Sequence, residues 1–88
     1  MILDMELYME IYIVRIYLQK TIDPLTLTNL PVFMDFELAK NHALQLSKSN
    51  KLKNKDNIDS HIFTNENRYY IVEDFISDKF LWIERHIL

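Results

Sequence analysis

Three histidines are the first candidates for acid–base or metal chemistry, and they are far apart in the sequence, at His42, His61 and His86. None of them stands at a spacing such as H-x-x-x-H or H-E-x-x-H, which would place two ligands on one helix face around a metal ion. A chemical role would therefore require the fold to bring two of them together with a carboxylate. The simpler interpretation is that all three are surface or half-buried side chains, and we expect neither a metal nor a cofactor.

Two short charged clusters, Glu73-Asp74 and Glu84-Arg85-His86, contain the residue types of acid–base pairs. Neighbouring residues of a strand point to opposite faces of a sheet, so each cluster would be divided between two faces. Cysteine and glycine are absent from the chain. Their absence excludes thiolate nucleophiles, cysteine-bound zinc, the P-loop and the dinucleotide-binding fingerprint, and it makes a nucleophile elbow strained. The sequence therefore predicts a protein that is not an enzyme.

A basic segment lies in the middle of the chain, where four lysines occur within eight residues while the whole chain carries a net charge of −3. Such a segment suits phosphates, since each neutralised phosphate releases counterions, and tyrosines near an arginine could add a base-stacking surface. The candidate nucleic-acid-binding residues are Lys48, Lys51, Lys53, Lys55, Arg68, Tyr69 and Tyr70. The acidic remainder opposes long-range attraction of nucleic acid, so a solvated loop is the competing interpretation.

Tyrosines and carboxylates alternate near the start of the chain, where Tyr8, Glu10 and Tyr12 would share one face of a strand. Tyrosine and tryptophan are frequent at interface hot spots because they bury a large area at a small entropic cost. The interleaved carboxylates could also imitate phosphate spacing towards a nucleic-acid-binding target. The candidate protein-binding residues are Tyr8, Glu10, Tyr12, Glu73 and Asp74. Ordinary packing within the sheet is the competing interpretation of the tyrosines.

The first element that must position these residues is a strand over Glu6 to Lys20, rich in isoleucine, valine and tyrosine. Both of its faces are apolar in the middle, which predicts a central strand or a strand with a partner on one face. Both prolines lie in the connector at residues 21–31, and Val32 to Met34 suits a short added strand or an apolar plug.

Asp35 is the predicted N-cap of an amphipathic helix that ends near Ser47 or Lys48. Its apolar side follows a helical period, and Lys40 is expected on the opposite side. The apolar positions are Phe36, Ala39, Ala43, Leu44 and Leu46. The polar segment after it contains three asparagines, Asn50, Asn54 and Asn57, which are expected to take left-handed backbone conformations because the chain has no glycine.

Two further strands are predicted over His61 to Thr64 and Tyr69 to Phe75, joined by an asparagine-containing turn. The last segment, Phe80 to Leu88, is expected to be a strand, with a helix as the alternative. Together the elements predict a single small α+β domain over residues 1–88, in which one amphipathic helix packs on one face of an antiparallel sheet of three to four strands. The order is β–α–β–β–β, or β–α–β–β–α if the end is helical.

The composition also indicates an origin. Isoleucine occurs 11 times and lysine and asparagine 7 times each, against two alanines, two prolines and no glycine. This usage favours an AT-rich genome, as in a low-GC bacterium, its mobile elements or its viruses. The start of the chain does not resemble a signal peptide, and no apolar run approaches the ~20 residues of a membrane span, so a cytoplasmic protein without membrane association is expected.

These observations predict a small cytosolic, non-enzymatic protein-interaction module. In its sharper form it is a mobile-element or phage-encoded inhibitor of a host defence or nucleic-acid enzyme. One alternative is a small nucleic-acid-binding module that uses the lysine loop at residues 48–55. The other is a self-associating structural subunit, such as a homodimer, because both faces of the first strand are apolar. The identity of the partner cannot be deduced from the residues.

Overall fold

The computed structural model describes residues 9–18, 31–56, 58 and 62–88. Within these ranges the elements along the chain are β1 (Glu10–Leu18), β2 (Val32–Phe33), α1 (Phe36–Ser49), β3 (Arg68–Asp74) and β4 (Lys79–Ile87). The strands form one antiparallel sheet in the order β2–β1–β4–β3, and α1 packs on one of its faces. The α+β fold class predicted from the sequence is confirmed.

The two long strands, β1 and β4, are neighbours at the centre of the sheet. They pair along their whole length, from Glu10 opposite Ile87 to Leu18 opposite Lys79. The last segment is therefore a strand, as favoured, and β1 is central, as its apolar faces predicted. The fourth strand is Val32–Phe33, whereas residues 62–64 lie beside β3 through a hydrogen bond from Thr64 N to Arg68 O without forming a strand.

A short turn joins β3 to β4 without glycine. The Asp74 carboxylate accepts hydrogen bonds from the backbone N–H groups of Ile76 (3.1 Å) and Ser77 (2.9 Å), and Asp78 has a left-handed φ of 55°. Lys51 is another left-handed residue, with φ of 55°, although the sequence assigned this conformation to the asparagines on either side. That prediction is wrong for Asn50 and Asn54, and Asn57 lies outside the described residues.

Helix α1 begins where the sequence predicts. Asp35 caps it by accepting a hydrogen bond from Glu37 N at 2.8 Å, and its last turn is closed by Asn50 N, which donates to Leu46 O. The small side chains of the predicted apolar side allow a close approach to the sheet. Lys40, however, was wrongly expected to face solvent, since it is 8% exposed.

The core lies between α1 and the sheet. Its buried apolar residues are Val14, Ala39, Ala43, Tyr69, Ile71, Val72, Leu81 and Ile83. A bulge in β3 between Tyr70 and Val72 lets the consecutive residues Ile71 and Val72 both enter this core. Among the described residues, no helix has the length and apolar character needed to cross a membrane.

Candidate interaction surface

The sheet has a second face, opposite α1, on which none of the described elements packs. Strand residues alternate between faces, so the neighbours of the core residues Val14, Leu81 and Ile83 point towards it. We call this surface the open face. Its side chains are Ile11, Ile13, Arg15, Tyr17, Arg68, Tyr70, Glu73, Phe80, Trp82, Glu84 and His86.

Glu84 is the centre of the polar contacts on the open face, and its side chain is 14% exposed. Its Oε2 atom lies 2.7 Å from Arg15 Nε and accepts a hydrogen bond of 3.1 Å from Trp82 Nε1. Its Oε1 atom lies 2.8 Å from His86 Nε2. One carboxylate therefore fixes a guanidinium, an indole and an imidazole that belong to two paired strands.

The ionisation of Glu84 reflects these contacts. Partial burial acts to raise its pKa, but the hydrogen bonds from Trp82 and His86 and the charge of Arg15 outweigh burial. The pKa of Glu84 is consequently lower than the ordinary value for a glutamate. The side chain is an anion at neutral pH, which keeps the neighbouring cation and indole in place.

Arg68, Tyr70 and Trp82 form a platform beside this carboxylate. The Arg68 guanidinium carbon lies 5.0 Å from the centre of the Trp82 ring, and Arg68 Nη1 donates to the Tyr70 hydroxyl at 3.1 Å. The Tyr70 and Trp82 rings are 5.7 Å apart. Cation–π and ring contacts of this kind hold amphipathic side chains in one arrangement at a surface.

The aromatic surface continues to the turn between β3 and β4. The Tyr17 and Phe80 rings are 6.2 Å apart, and the Phe75 ring meets Phe80 edge-on at 5.3 Å. Phe75 is 75% exposed and its neighbour Ile76 is 98% exposed. We call Phe75 and Ile76 the hairpin tip. Ring contacts from Phe75 through Phe80 to Tyr17 thus connect the hairpin tip to the open face.

The structure does not gather the predicted protein-binding residues in one patch. Tyr12 lies on the α1 side of the sheet, where its ring contacts those of Phe36 (5.7 Å) and Phe63 (6.4 Å), and its hydroxyl donates to Glu10. Glu73 lies at the margin of the open face, and Asp74 holds the adjoining turn. The remaining member, at position 8, lies outside the described residues.

The predicted nucleic-acid-binding residues are also divided. Tyr69 is 3% exposed and belongs to the core, whereas Arg68 and Tyr70 lie on the open face. Lys55 Nζ forms an ion pair of 2.8 Å with Glu73, so one predicted basic residue is neutralised by a predicted acidic one. The other lysines of the set, Lys48, Lys51 and Lys53, are exposed at and after the end of α1.

The two histidines among the described residues, His42 and His86, have different neighbours. The His42 ring lies 5.4 Å from that of Phe33, and His86 is held by Glu84, while His61 lies outside the described residues. Within the described ranges, no group of three histidine, aspartate or glutamate side chains could hold a metal ion.

Sequence reasoning missed the open face as a unit. The alternation of side chains along a strand did show which residues share a side. Arg15 and Tyr17 share one side of β1, and Trp82 and Glu84 share one side of β4. The sequence did not indicate which side of each strand α1 covers. That choice depends on the register between β1 and β4, which is set by tertiary packing.

The chemistry available on the open face is recognition. Trp82, Tyr70 and the two arginines offer flat aromatic surface, cation–π contacts and charge-assisted hydrogen bonds, and Glu84 limits the motion of Arg15 and Trp82. Comparison of the chain with models of protein families, with curated proteins and with solved structures finds no match in any of the three.

Proposed function

We propose that this chain is a non-enzymatic protein-interaction module that binds another protein through the open face. The observation that carries the proposal is the composition of that face, where Trp82, Tyr17, Tyr70, Arg15 and Arg68 are gathered on two long strands and an edge strand. Tryptophan, tyrosine and arginine are the residue types most enriched in binding hot spots.

The fixed geometry of the face supports the same function. Because Glu84 holds Arg15 and Trp82, and Tyr70 holds Arg68, these long side chains lose little further freedom when a partner binds. Immobilising a flexible side chain costs roughly 0.5–1.5 kcal/mol, so prior ordering improves affinity. The partner surface would offer flat apolar area together with carboxylates for the arginines.

We also infer the kind of genome that encodes this module and the kind of protein that it binds. A small chain encoded with AT-rich residue usage suits a mobile element or a phage, and a cytoplasmic inhibitor of a host defence or nucleic-acid enzyme is the form of the function that we favour. Such a protein needs a rigid binding face more than a catalytic centre.

One observation favours a second candidate, a module that binds single-stranded nucleic acid. Arg68 above the Trp82 ring, with Tyr70 beside it, is an arrangement on which nucleobases can stack. Lys55 lines a shallow cavity together with Tyr70, but its charge is paired with that of Glu73. The net charge of −3 also opposes binding to phosphates. Protein binding is therefore the stronger candidate.

The test compares variants in affinity capture from nuclease-treated lysate of the source cells, read by mass spectrometry. Arg68→Glu and Trp82→Ala change the open face, and Leu38→Ser is the matched control because Leu38 is 56% exposed on α1. We expect one protein to be recovered by the wild type and by the control, and to be lost with both open-face variants. Circular dichroism verifies that each variant is folded.

Other results would contradict the proposal. Recovery that disappears after nuclease treatment, with salt-sensitive binding that is lost in a Lys51, Lys53 and Lys55 to Glu variant, would support the nucleic-acid module instead. Light scattering of the purified chain tests self-association. A dimer that Arg68→Glu dissociates, with no other protein captured, would assign the open face to a second copy.

A further inference from the structure

We propose that Arg68 binds one carboxylate of the protein partner through the paired Nε–H and Nη2–H donors of its guanidinium. This inference rests on the protein-binding function proposed above and narrows it, because it assigns the contact with an anion to Arg68 rather than to Arg15. It depends on what each arginine of the chain contacts, on how the Arg68 guanidinium is held, and on the charges around it.

The three arginines of the chain differ in what their guanidinium groups contact. Arg15 Nε lies 2.7 Å from Glu84 Oε2, so the charge of Arg15 is neutralised within the open face. Arg85, on the α1 side, donates both Nε and Nη2 to the side-chain oxygen of an asparagine. The guanidinium of Arg68 donates through Nη1 to the Tyr70 hydroxyl, and no other acceptor for it lies within the ranges that the structure describes. Its Nε and Nη2 donors are therefore available to a partner.

The guanidinium of Arg68 is held in one orientation on the platform. Its carbon lies 5.0 Å from the centre of the Trp82 ring, and the hydrogen bond of 3.1 Å to the Tyr70 hydroxyl limits its rotation. Nε–H and Nη2–H lie along one edge of a guanidinium, and two parallel donors match the two oxygens of a carboxylate. Because this edge is oriented before binding, little freedom is lost when an acceptor reaches it.

The charges near Arg68 favour a single carboxylate over a chain of phosphates. Glu84 lies opposite Arg68 in the register of β3 and β4, and the charges of Glu84 and Glu66 both act on Arg68. Lys55 lines a cavity together with part of the platform, but it is paired with Glu73 and adds no unpaired charge there. A polyanion would therefore meet one available cation with acids beside it, whereas a protein carboxylate needs only that one contact.

The first measurement tests the guanidinium itself, in the whole chain. The Nε–H resonances of the three arginines are followed by NMR during titration with sodium acetate, and sodium chloride keeps the ionic strength constant. We expect the resonance that is lost in Arg68→Lys to shift most, because the Nε groups of Arg15 and Arg85 already face oxygens. Equal shifts at all three arginines, or none at Arg68, would overturn the inference and leave the proposed function standing.

The second measurement titrates the captured partner, purified, with the chain and its variants. Arg68→Lys keeps the charge but removes the paired donors, so we expect it to weaken binding at least about tenfold. Arg85→Lys is the matched control on the α1 side and should leave the affinity unchanged, with thermal midpoints showing that both variants are folded. When acids of the partner are replaced by lysine one at a time, one of them should restore binding to Arg68→Glu.

Three results would contradict the inference in different ways. If Arg68→Lys binds the partner as the wild type does while Trp82→Ala does not, the open face binds without the paired donors and the proposed function stands. If an oligothymidylate shifts the Arg68 resonance more than acetate does and displaces the partner, Arg68 binds phosphate and the nucleic-acid candidate is favoured. If no protein is captured through the open face, the proposed function fails and this inference fails with it.

Discussion

The two faces of the sheet are formed by the same strands, yet their side chains differ in kind. On the face under α1, Leu81 and Ile83 are buried among other apolar groups. On the open face, their immediate neighbours Trp82 and Glu84 are joined to each other and to cations on adjacent strands. Adjacent positions in β4 therefore serve different purposes, one in the core and the other at a surface.

Under the proposed function, residues on the α1 side stabilise the fold and residues on the open face bind the partner. Burying a leucine or isoleucine side chain stabilises the folded state by about 1.5–3 kcal/mol, whereas an exposed ion pair contributes roughly 0–1 kcal/mol. The open face carries the tryptophan of the chain and two of its three arginines. At this surface these residues add less to the free energy of unfolding than buried apolar residues add in the core. The stability of the core therefore does not explain their gathering on one face, which is the reason for proposing that this face binds a partner.

The largest expected effect is on the free energy of unfolding. It is found by truncating a core residue of β4 and, separately, its neighbour on the open face. Ile83→Ala creates a cavity beside α1 and should lower the free energy of unfolding by about 2–5 kcal/mol. Trp82→Ala removes cross-strand and cation–π contacts worth about 0.2–1 kcal/mol each, so its cost should be smaller even though the side chain is larger. Urea denaturation followed by circular dichroism measures both.

The test is whether Ile83→Ala lowers the free energy of unfolding more than Trp82→Ala does. An equal or greater loss from Trp82→Ala would show that the open face is part of a core, which would weaken the case for a binding surface. Val14→Ala, on the α1 side of β1, provides the control for a buried residue in the other central strand.

The next largest effect is the loss in free energy of unfolding when the negative charge of Glu84 is removed. Glu84→Gln keeps the shape of the side chain but removes the anion, and because hydrogen bonds to charged groups contribute about 1.5–3 kcal/mol, we expect a loss of about 1 kcal/mol or more at pH 7. The pKa of Glu84 in the folded state lies below its ordinary value of 4.5, so its stabilisation is present above pH 4.5 and is lost as the pH falls through the folded-state pKa.

The stability difference between wild type and Glu84→Gln should therefore shrink as the pH falls below 4.5, measured by urea denaturation at a series of pH values. Asp74 also has a lowered pKa, and it is present in both proteins, so each should still lose some stability in acid. A difference that stays constant down to the lowest pH would mean that the charge of Glu84 is not what stabilises its contacts.

Much of the fold could be predicted because local rules and packing agree. Asp35 has the side chain of an N-cap and is one, and the branched and aromatic residues of β1 and β4 do form strands. The predictions failed where tertiary contacts override local preference. Lys40 is buried although its charge suggested solvent, and Lys51 takes the left-handed position that the neighbouring asparagine was expected to take.

The candidate surface was less predictable, for a physical reason. The alternation of β1 indicated which residues share a face, but the choice of the face under α1 arises from the pairing of distant segments. Tyr12 was therefore assigned to binding although it packs with Phe36, and Trp82 was not assigned. The pairing of Lys55 with Glu73, 18 residues away, could not be deduced from composition at all.

The smallest expected effect is the difference in coupling energy between two ion pairs, Lys55–Glu73 and Arg15–Glu84, measured by double-mutant cycles. Lys55 and Glu73 are 42% and 26% exposed, so their coupling should be under about 0.5 kcal/mol and should vanish at high salt. Arg15 and Glu84 are 33% and 14% exposed, and their coupling should be larger and should decline less with salt. Equal couplings would mean that the open face orders its charges no better than an exposed edge does. A larger value for Arg15 and Glu84 would support a face that is held rigid in advance of binding, because the more strongly coupled pair is the one that fixes Trp82.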